Sequence, residues 1–197
     1  MNADADSERQ GEAHDAVASP ADVSHLAGLP LPDIALPSTT TLRAQSLDQL
    51  SRGATYLVVY AYPALGAPDR DLLTPDWMHI PGAFGCTAES CSFRDLNGVL
   101  RDLGAQVCGL STQSSAEQHE AAERLSLNFP LLSDANHAVC KALSLPQWPV
   151  SGRQLLKRFT MVAHGPIIEH VFAPVGNPST HADNVAAWLR QQTAAQE

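Results

Sequence analysis

Seven consecutive residues, Tyr56-Leu-Val-Val-Tyr-Ala-Tyr62, limit the folds open to this chain more than any other segment. They carry apolar, β-branched and aromatic side chains with no charged residue among them, which is typical of a buried central strand. Hydrophobic periodicity then predicts alternating helices and strands, followed by a hairpin over residues 156–172 and a helix over 180–192. We therefore expect an α/β fold with a mixed central sheet and helices on both faces.

Length and composition divide the chain into two parts. Residues 1–27 are rich in Ala, Asp, Glu and Ser and contain few large apolar side chains, so they cannot bury enough surface to offset the entropy of ordering. We predict a flexible acidic N-terminal arm there. Residues 28–197 are long enough for one domain with a substantial core.

The charge balance restricts the class of partner. Lys and Arg total 12 against 21 Asp and Glu, a formal net charge of −9, which disfavours nucleic acid and anionic membrane surfaces. No apolar run approaches a membrane span, and the first thirty residues lack the pattern of a secretory signal. We expect a cytoplasmic protein whose partners are small molecules or other proteins.

The segment Gly85-Cys-Thr-Ala-Glu-Ser-Cys-Ser-Phe-Arg-Asp95 places one cysteine at the start of a predicted helix and another five residues inside it. The first helical turn has unpaired N–H groups and partial positive charge, so a thiol there ionises more readily. Helical geometry would separate the Cα atoms of Cys86 and Cys91 by roughly 8–9 Å, beyond the about 7 Å that a disulfide spans. Either the two thiols act independently, or a bond between them requires the helix to unwind.

The same segment resembles a known family. Gly85-Cys86-Thr87 followed by Glu89, Cys91 and Phe93-Arg94-Asp95 resembles the peroxiredoxins, and within them the bacterioferritin comigratory protein, or PrxQ, branch. Further matching segments run from Leu31-Pro32-Asp33 to Lys157-Arg158-Phe159-Thr160. The resemblance implies a thioredoxin-like fold over the domain.

The resemblance also implies an activity and its residues. Cys86 takes the position of the peroxidatic cysteine, which attacks a hydroperoxide and becomes a sulfenic acid, and Cys91 that of the resolving cysteine, which condenses with it. Arg158 takes the position that steadies the thiolate and polarises the peroxide, and Glu89 that of an active-site hydrogen-bonding group. The expected reductant is thioredoxin or a similar dithiol protein. The implied enzyme is a monomer or weak dimer without cofactor or bound metal.

One departure concerns substrate binding. The family places a threonine hydroxyl three residues before the reactive cysteine, whereas this chain has Ala83, in a loop longer than the family's. Pro81 corresponds approximately to the family proline and, with Thr87, is assigned to substrate binding. Thr74, Thr87 and His79 are the candidates to replace the missing hydroxyl.

Several features have plainer interpretations. Cys108 and Cys140 lie in apolar surroundings and are interpreted as core residues, with a distal resolving role as the alternative for Cys140. A redoxin-fold thiol sensor or partner-binding module that uses Cys86 and Cys91 as a switch remains an alternative. A metal-binding module built on His137 and Cys140 is a further alternative, but the sequence lacks the paired ligand spacings of structural zinc sites.

Overall fold

The computed structural model describes residues 21–68, 72–80 and 82–195. Its strands are β1 (Tyr56–Ala61), β2 (Ala105–Ser111), β3 (Leu131–Ser133), β4 (Gln147–Val150), β5 (Arg153–Leu156), β6 (Phe159–His164) and β7 (Ile167–Phe172). Its α-helices are α1 (Leu47–Ser51), α2 (Cys86–Asp102), α3 (Ser115–Arg124), α4 (Ala138–Ala142) and α5 (His181–Ala194). Short 3-10 helices cover Ser24–Leu26, Trp77–His79 and Pro178–Thr180.

Strand β1 is the middle strand of a five-stranded sheet with the order β3-β2-β1-β6-β7. It pairs in parallel with β2 and antiparallel with β6, so the sheet is mixed. All six of its residues are buried, because both faces of the sheet are covered. The predicted fold class and the central position of this strand are confirmed.

Alternate residues of β1 pack into two separate cores. Leu57 and Val59 join side chains from α1 and α4 on one face, whereas Tyr60 and its neighbours of the same parity join α2 and α5 on the other. This alternation is the two-residue period of a strand. Cys86, the first residue of α2, packs in the same core as Tyr60 and Tyr62, so the N-terminus of α2 lies near the carboxyl end of β1.

The structure corrects the predicted strand from Leu156 to Ala163. Strand β5 ends at Leu156 and pairs with β4, and β6 begins only at Phe159 in the main sheet. Lys157 donates its amide hydrogen to the Pro146 carbonyl at 3.0 Å, which extends the contact between the β4 and β5 segments by one residue. Arg158 therefore lies in a break between strands and not on a strand face.

Ordered structure begins before residue 28. Residues 24–26, which the sequence analysis places in the arm, form a 3-10 helix, and Val23 and Leu26 are buried in the core. The His25 ring bonds through Nε2 to the Leu143 carbonyl oxygen at 2.9 Å. The preceding residues of the predicted arm, 1–20, lie outside the described residues, so their flexibility stays a prediction.

The loop between β1 and α2 is held by aromatic stacking. Trp77 stacks on Trp148 with ring centroids 5.8 Å apart and an interplanar angle of 17°. Both rings join a small apolar cluster that includes Ile80, Ala83 and Leu155. The two tryptophans thus fix the loop onto the β4–β5 hairpin.

Within the described ranges, none of the helices combines the length and the apolar character needed to span a membrane.

Candidate active site

The start of α2 is set by a glycine that no other residue can replace without strain. Gly85 is the N-cap, with φ of 100°, and a Cβ atom there would lie 2.7 Å from Cγ of Pro178. The next residue, Cys86, is the first of the helix and is 4% exposed. Its sulfur therefore lies at the positive end of a long helix, as the sequence predicts.

Arg158 reaches this sulfur from the break between β5 and β6. Its side chain is 2% exposed, and Nη2 donates to Cys86 Sγ at 3.0 Å. The same nitrogen donates to the carbonyl oxygens of Phe84 at 3.1 Å and Ala83 at 3.5 Å. The guanidinium is thus fixed against the sulfur by the backbone of the preceding loop.

Glu89 completes the buried cluster from the first turn of α2. It is fully buried and forms an ion pair with Nη1 of Arg158. Burial raises the pKa of Glu89 to about 7, and the charge of Arg158 opposes that rise. Burial also disfavours the charge of Arg158, but the nearby Cys86 and Glu89 hold its pKa above the ordinary value. The arginine is therefore cationic at every physiological pH.

The two predicted substrate-binding residues are not brought to the sulfur. Thr87 is exposed on α2, and Pro81 lies outside the described residues. Within the described ranges, Cys86 Sγ bonds only to Arg158 and, at 3.4 Å, to the Ala83 carbonyl oxygen. No hydroxyl or imidazole of the described residues hydrogen-bonds to Cys86 Sγ, and His79 is exposed on the loop.

Cys91 lies in the second turn of α2 and is half-buried. Both it and Cys86 are free thiols. The helix runs without interruption from Cys86 to Asp102, which separates the two residues by about 7.5 Å along the axis. A bond between their sulfurs therefore requires the first turns of α2 to unwind.

The other two cysteines are core residues, as interpreted from the sequence. Burial raises the pKa of the Cys108 thiol, and burial together with Asp134 raises that of Cys140. Both thiols are thus held in their unreactive form. Among the described residues, no three His, Cys, Asp or Glu side chains are grouped as metal ligands. His137 bonds through Nδ1 to Oε1 of Gln147 at 2.7 Å.

Sequence reasoning missed the groups that orient Arg158 and α2. Every residue has a backbone carbonyl, so the sequence does not indicate that those of Ala83 and Phe84 bond to Arg158. The hydroxyls of Tyr60 and Ser90 bond at 3.0 Å and attach the second turn of α2 to β1. Ser90 lies four residues after Cys86, so helical spacing places both on one face of α2. That spacing is the sequence signal for a role of Ser90 near the site.

Comparisons with known proteins show which family this chain is similar to. The Redoxin family model matches residues 26–188. Peroxiredoxin Bcp of Escherichia coli strain K12 is 35% identical over 117 residues, which cover 54% of this chain and 70% of that protein. The chloroplastic peroxiredoxin Q of Sedum lineare is 34% identical over 137 residues, 68% of this chain and 63% of that protein.

Solved structures give the same result. Peroxidoxin BcpB from Mycobacterium tuberculosis has a TM-score of 0.67 and 28% identity, covering 84% of this chain and 96% of that one. The bacterioferritin comigratory protein of Xanthomonas campestris has a TM-score of 0.63 and 25% identity, covering 84% and 98%. The expected thioredoxin-like fold is confirmed. The chain belongs to the redoxin family and, within it, to the peroxiredoxins of the bacterioferritin comigratory protein, or PrxQ, branch.

Proposed function

We propose that this protein is a thiol peroxidase in which Cys86 attacks the hydroperoxide and Arg158 stabilises the charge that develops. The observation that carries the assignment is the 3.0 Å contact between Nη2 of Arg158 and Cys86 Sγ at the N-terminus of α2. A guanidinium held there favours the thiolate, which is the nucleophilic form. It also lies beside the site where the departing oxygen becomes negative.

The first chemical step is an attack of the Cys86 thiolate on one peroxide oxygen. A sulfur–oxygen bond forms, the oxygen–oxygen bond breaks, and the leaving oxygen takes a proton to become water or an alcohol. Cys86 is thereby oxidised to a sulfenic acid. Glu89 serves by holding Nη1 of Arg158 and does not transfer a proton.

The second step forms the Cys86–Cys91 disulfide. The Cys91 sulfur attacks the sulfenic sulfur and water leaves, after which thioredoxin or a similar dithiol protein returns both thiols. The separation along α2 makes unwinding part of this step. Cys108 and Cys140 are buried and take no part.

Hydrogen peroxide and small organic hydroperoxides are the proposed substrates. The solved bacterioferritin comigratory protein of Xanthomonas campestris is described as having alkyl peroxide reduction activity, which supports organic hydroperoxides for this chain. The net charge of −9 disfavours nucleic acid and anionic membranes as partners. We propose a cytoplasmic location. We propose a monomer or weak dimer.

The thiol chemistry is tested by treating the fully reduced protein with one equivalent of hydrogen peroxide. Peptide mass spectrometry is expected to find a Cys86–Cys91 disulfide within the turnover time measured with thioredoxin, its reductase and NADPH. Cys86→Ser is expected to abolish peroxide consumption, and Cys108→Ser, a matched change in the core, to preserve it.

Among the described residues no hydroxyl bonds to Cys86 Sγ, which favours one second candidate, a thiol sensor. Slow disulfide formation without turnover under the thioredoxin system would support that sensor. Peroxide consumption by Cys86→Ser would contradict both.

A further inference from the structure

We propose that Arg94 serves the resolving step by stabilising negative charge on the Cys91 sulfur while that sulfur attacks Cys86. This inference rests on the proposed peroxidase function and adds to it a residue for the second cysteine. Arg158 cannot act there, because Cys86, Glu89 and two loop carbonyls engage its guanidinium.

Arg94 lies three residues after Cys91 on α2, so the two side chains share one face of the helix. The face borders solvent, since Cys91 is half-buried and the Arg94 side chain is 30% exposed. The guanidinium is in electrostatic contact with Cys91. A hydrogen bond to Asp95 is the largest influence on the pKa of Arg94 and raises it; desolvation opposes that rise, and the charges of Cys91 and Asp95 add to it, so the pKa lies above its ordinary value.

The guanidinium is held in place from two sides. Nε donates to Asp95 Oδ1 at 2.8 Å, and Nη1 donates to the Leu125 carbonyl oxygen, also at 2.8 Å. Asp95 thus balances part of the charge and fixes the plane of the group. A long side chain fixed in this way loses little further entropy when it interacts with a neighbouring thiolate.

Negative charge on the Cys91 sulfur needs stabilisation when that sulfur attacks Cys86. The Cys91 thiol releases its proton, its sulfur bonds to the sulfenic sulfur of Cys86, and the sulfur–oxygen bond breaks. The departing hydroxide takes a proton and becomes water. A cation fixed beside the Cys91 sulfur stabilises the negative charge that develops there as the proton leaves and the new bond forms.

A purely structural role for Arg94 predicts the opposite effect. Its bond to Leu125 fastens α2 to the connection after α3, as do the bonds of Asn97 Nδ2 to Asn128 at 2.9 and 3.3 Å. If Arg94 only fastened the helix, its loss would ease unwinding and speed disulfide formation. If it stabilises the thiolate, its loss slows the same step.

Three variants of the full chain show whether loss of Arg94 slows or speeds disulfide formation: Arg94→Met, Arg94→Lys and Asn97→Ala. Each reduced protein is mixed with hydrogen peroxide, quenched at intervals and analysed by mass spectrometry for sulfenic, disulfide and sulfinic forms of Cys86. Arg94→Met is expected to slow condensation about fivefold, the effect of one partly exposed charge, and to increase the sulfinic product. Arg94→Lys is expected to recover part of the rate, and Asn97→Ala to condense at least as fast as the unsubstituted protein.

A second measurement separates this inference from the peroxidase function. In a Cys86→Ser background no peroxide chemistry occurs, and the alkylation rate of Cys91 by iodoacetamide reports its thiolate directly. Adding Arg94→Met is expected to lower that rate about fivefold, whether or not the protein proves to be a peroxidase. Equal alkylation rates, or condensation in Arg94→Met as fast as in the unsubstituted protein, would overturn the proposal.

Discussion

At the scale of single residues, one guanidinium organises the whole site. Arg158 donates to the sulfur of Cys86, to the loop carbonyls of Ala83 and Phe84, and to the carboxylate of Glu89. These bonds use both terminal nitrogens in a planar fork that a lysine cannot reproduce. Substituting Arg158 by methionine or by lysine therefore separates the effect of its charge from the effect of its geometry.

Arg158→Met is expected to slow the oxidation of Cys86 by hydrogen peroxide about 100-fold, because it removes a fixed donor to developing negative charge. Arg158→Lys is expected to recover only part of that rate, since it keeps the charge without the fork. Stopped-flow measurement of the second-order rate constant checks both. Arg153→Met, which breaks the partly exposed ion pair between Arg153 on β5 and Glu117 on α3, is the control and is expected to react like the unsubstituted protein.

Glu89 makes stability depend on pH. Burial raises its pKa from 4.5 to about 7, so the folded state keeps a proton that the unfolded chain loses earlier. Between these two values the free energy of unfolding therefore falls as pH rises, and it levels off above them. Glu89→Gln is expected to remove this contribution. Urea unfolding at several pH values between 4.5 and about 7 measures this contribution, with Glu120→Gln as the control at a more exposed position. If the free energy of unfolding changed with pH in the same way in Glu89→Gln and in the unsubstituted protein, the assignment would be contradicted.

At the scale of elements, the active site depends on where α2 begins. Gly85 adopts φ of 100° against Pro178, and Cys86 follows as the first helical residue. Gly98 lies farther along the same helix, and a Cβ atom there would meet nothing within 4 Å. The glycine that caps α2 therefore cannot be replaced without strain, whereas the glycine inside the helix can.

Gly85→Ala is expected to destabilise the protein by about 1–3 kcal/mol, because it combines an unfavourable backbone conformation with a clash. Gly98→Ala is expected to stabilise it by about 1 kcal/mol, because alanine is the better helix former. Urea denaturation of both variants measures the difference. A Gly85→Ala protein as stable as the unsubstituted one would show that α2 can begin elsewhere.

The elements also show what the sequence predicts and what it leaves open. The run Tyr56–Tyr62 predicts β1 because its side chains are apolar at every position, and the Gly-Cys pair predicts the start of α2. The β4–β5 hairpin was missed because Pro149 argues against a strand and its turn uses left-handed Ser151 and Gly152. Helix α1 was also missed, although Ser46 and Gln49 form a capping box that the sequence displays.

At the scale of the whole molecule, the site joins three segments that are distant in the chain. The loop before α2 supplies the carbonyls of Ala83 and Phe84, α2 supplies Cys86, and the break after β5 supplies Arg158. Sequence spacing identified Cys86 and the resemblance identified Arg158, but the loop's role depends on its tertiary fixation. That fixation is the stacking of Trp77 on Trp148, far along the chain.

Trp77→Ala is expected to lower stability by about 3–5 kcal/mol, the usual cost of removing a buried aromatic ring. It is also expected to slow peroxide oxidation of Cys86 about tenfold or more, because the loop carbonyls that orient Arg158 lose their support. Leu47→Ala on the opposite face of the sheet is the matched control, since it removes a fully buried side chain from a different core. Its expected loss of stability is about 2–5 kcal/mol.

Both variants are compared at a temperature where circular dichroism shows each to be folded. The control is expected to keep the rate constant of the unsubstituted protein, because Leu47 and the two tryptophans belong to different apolar clusters. Equal slowing in both variants would mean that reactivity follows global stability. Slowing in Trp77→Ala alone would mean that the two stacked tryptophans set the position of the guanidinium and, through it, the reactivity of the sulfur.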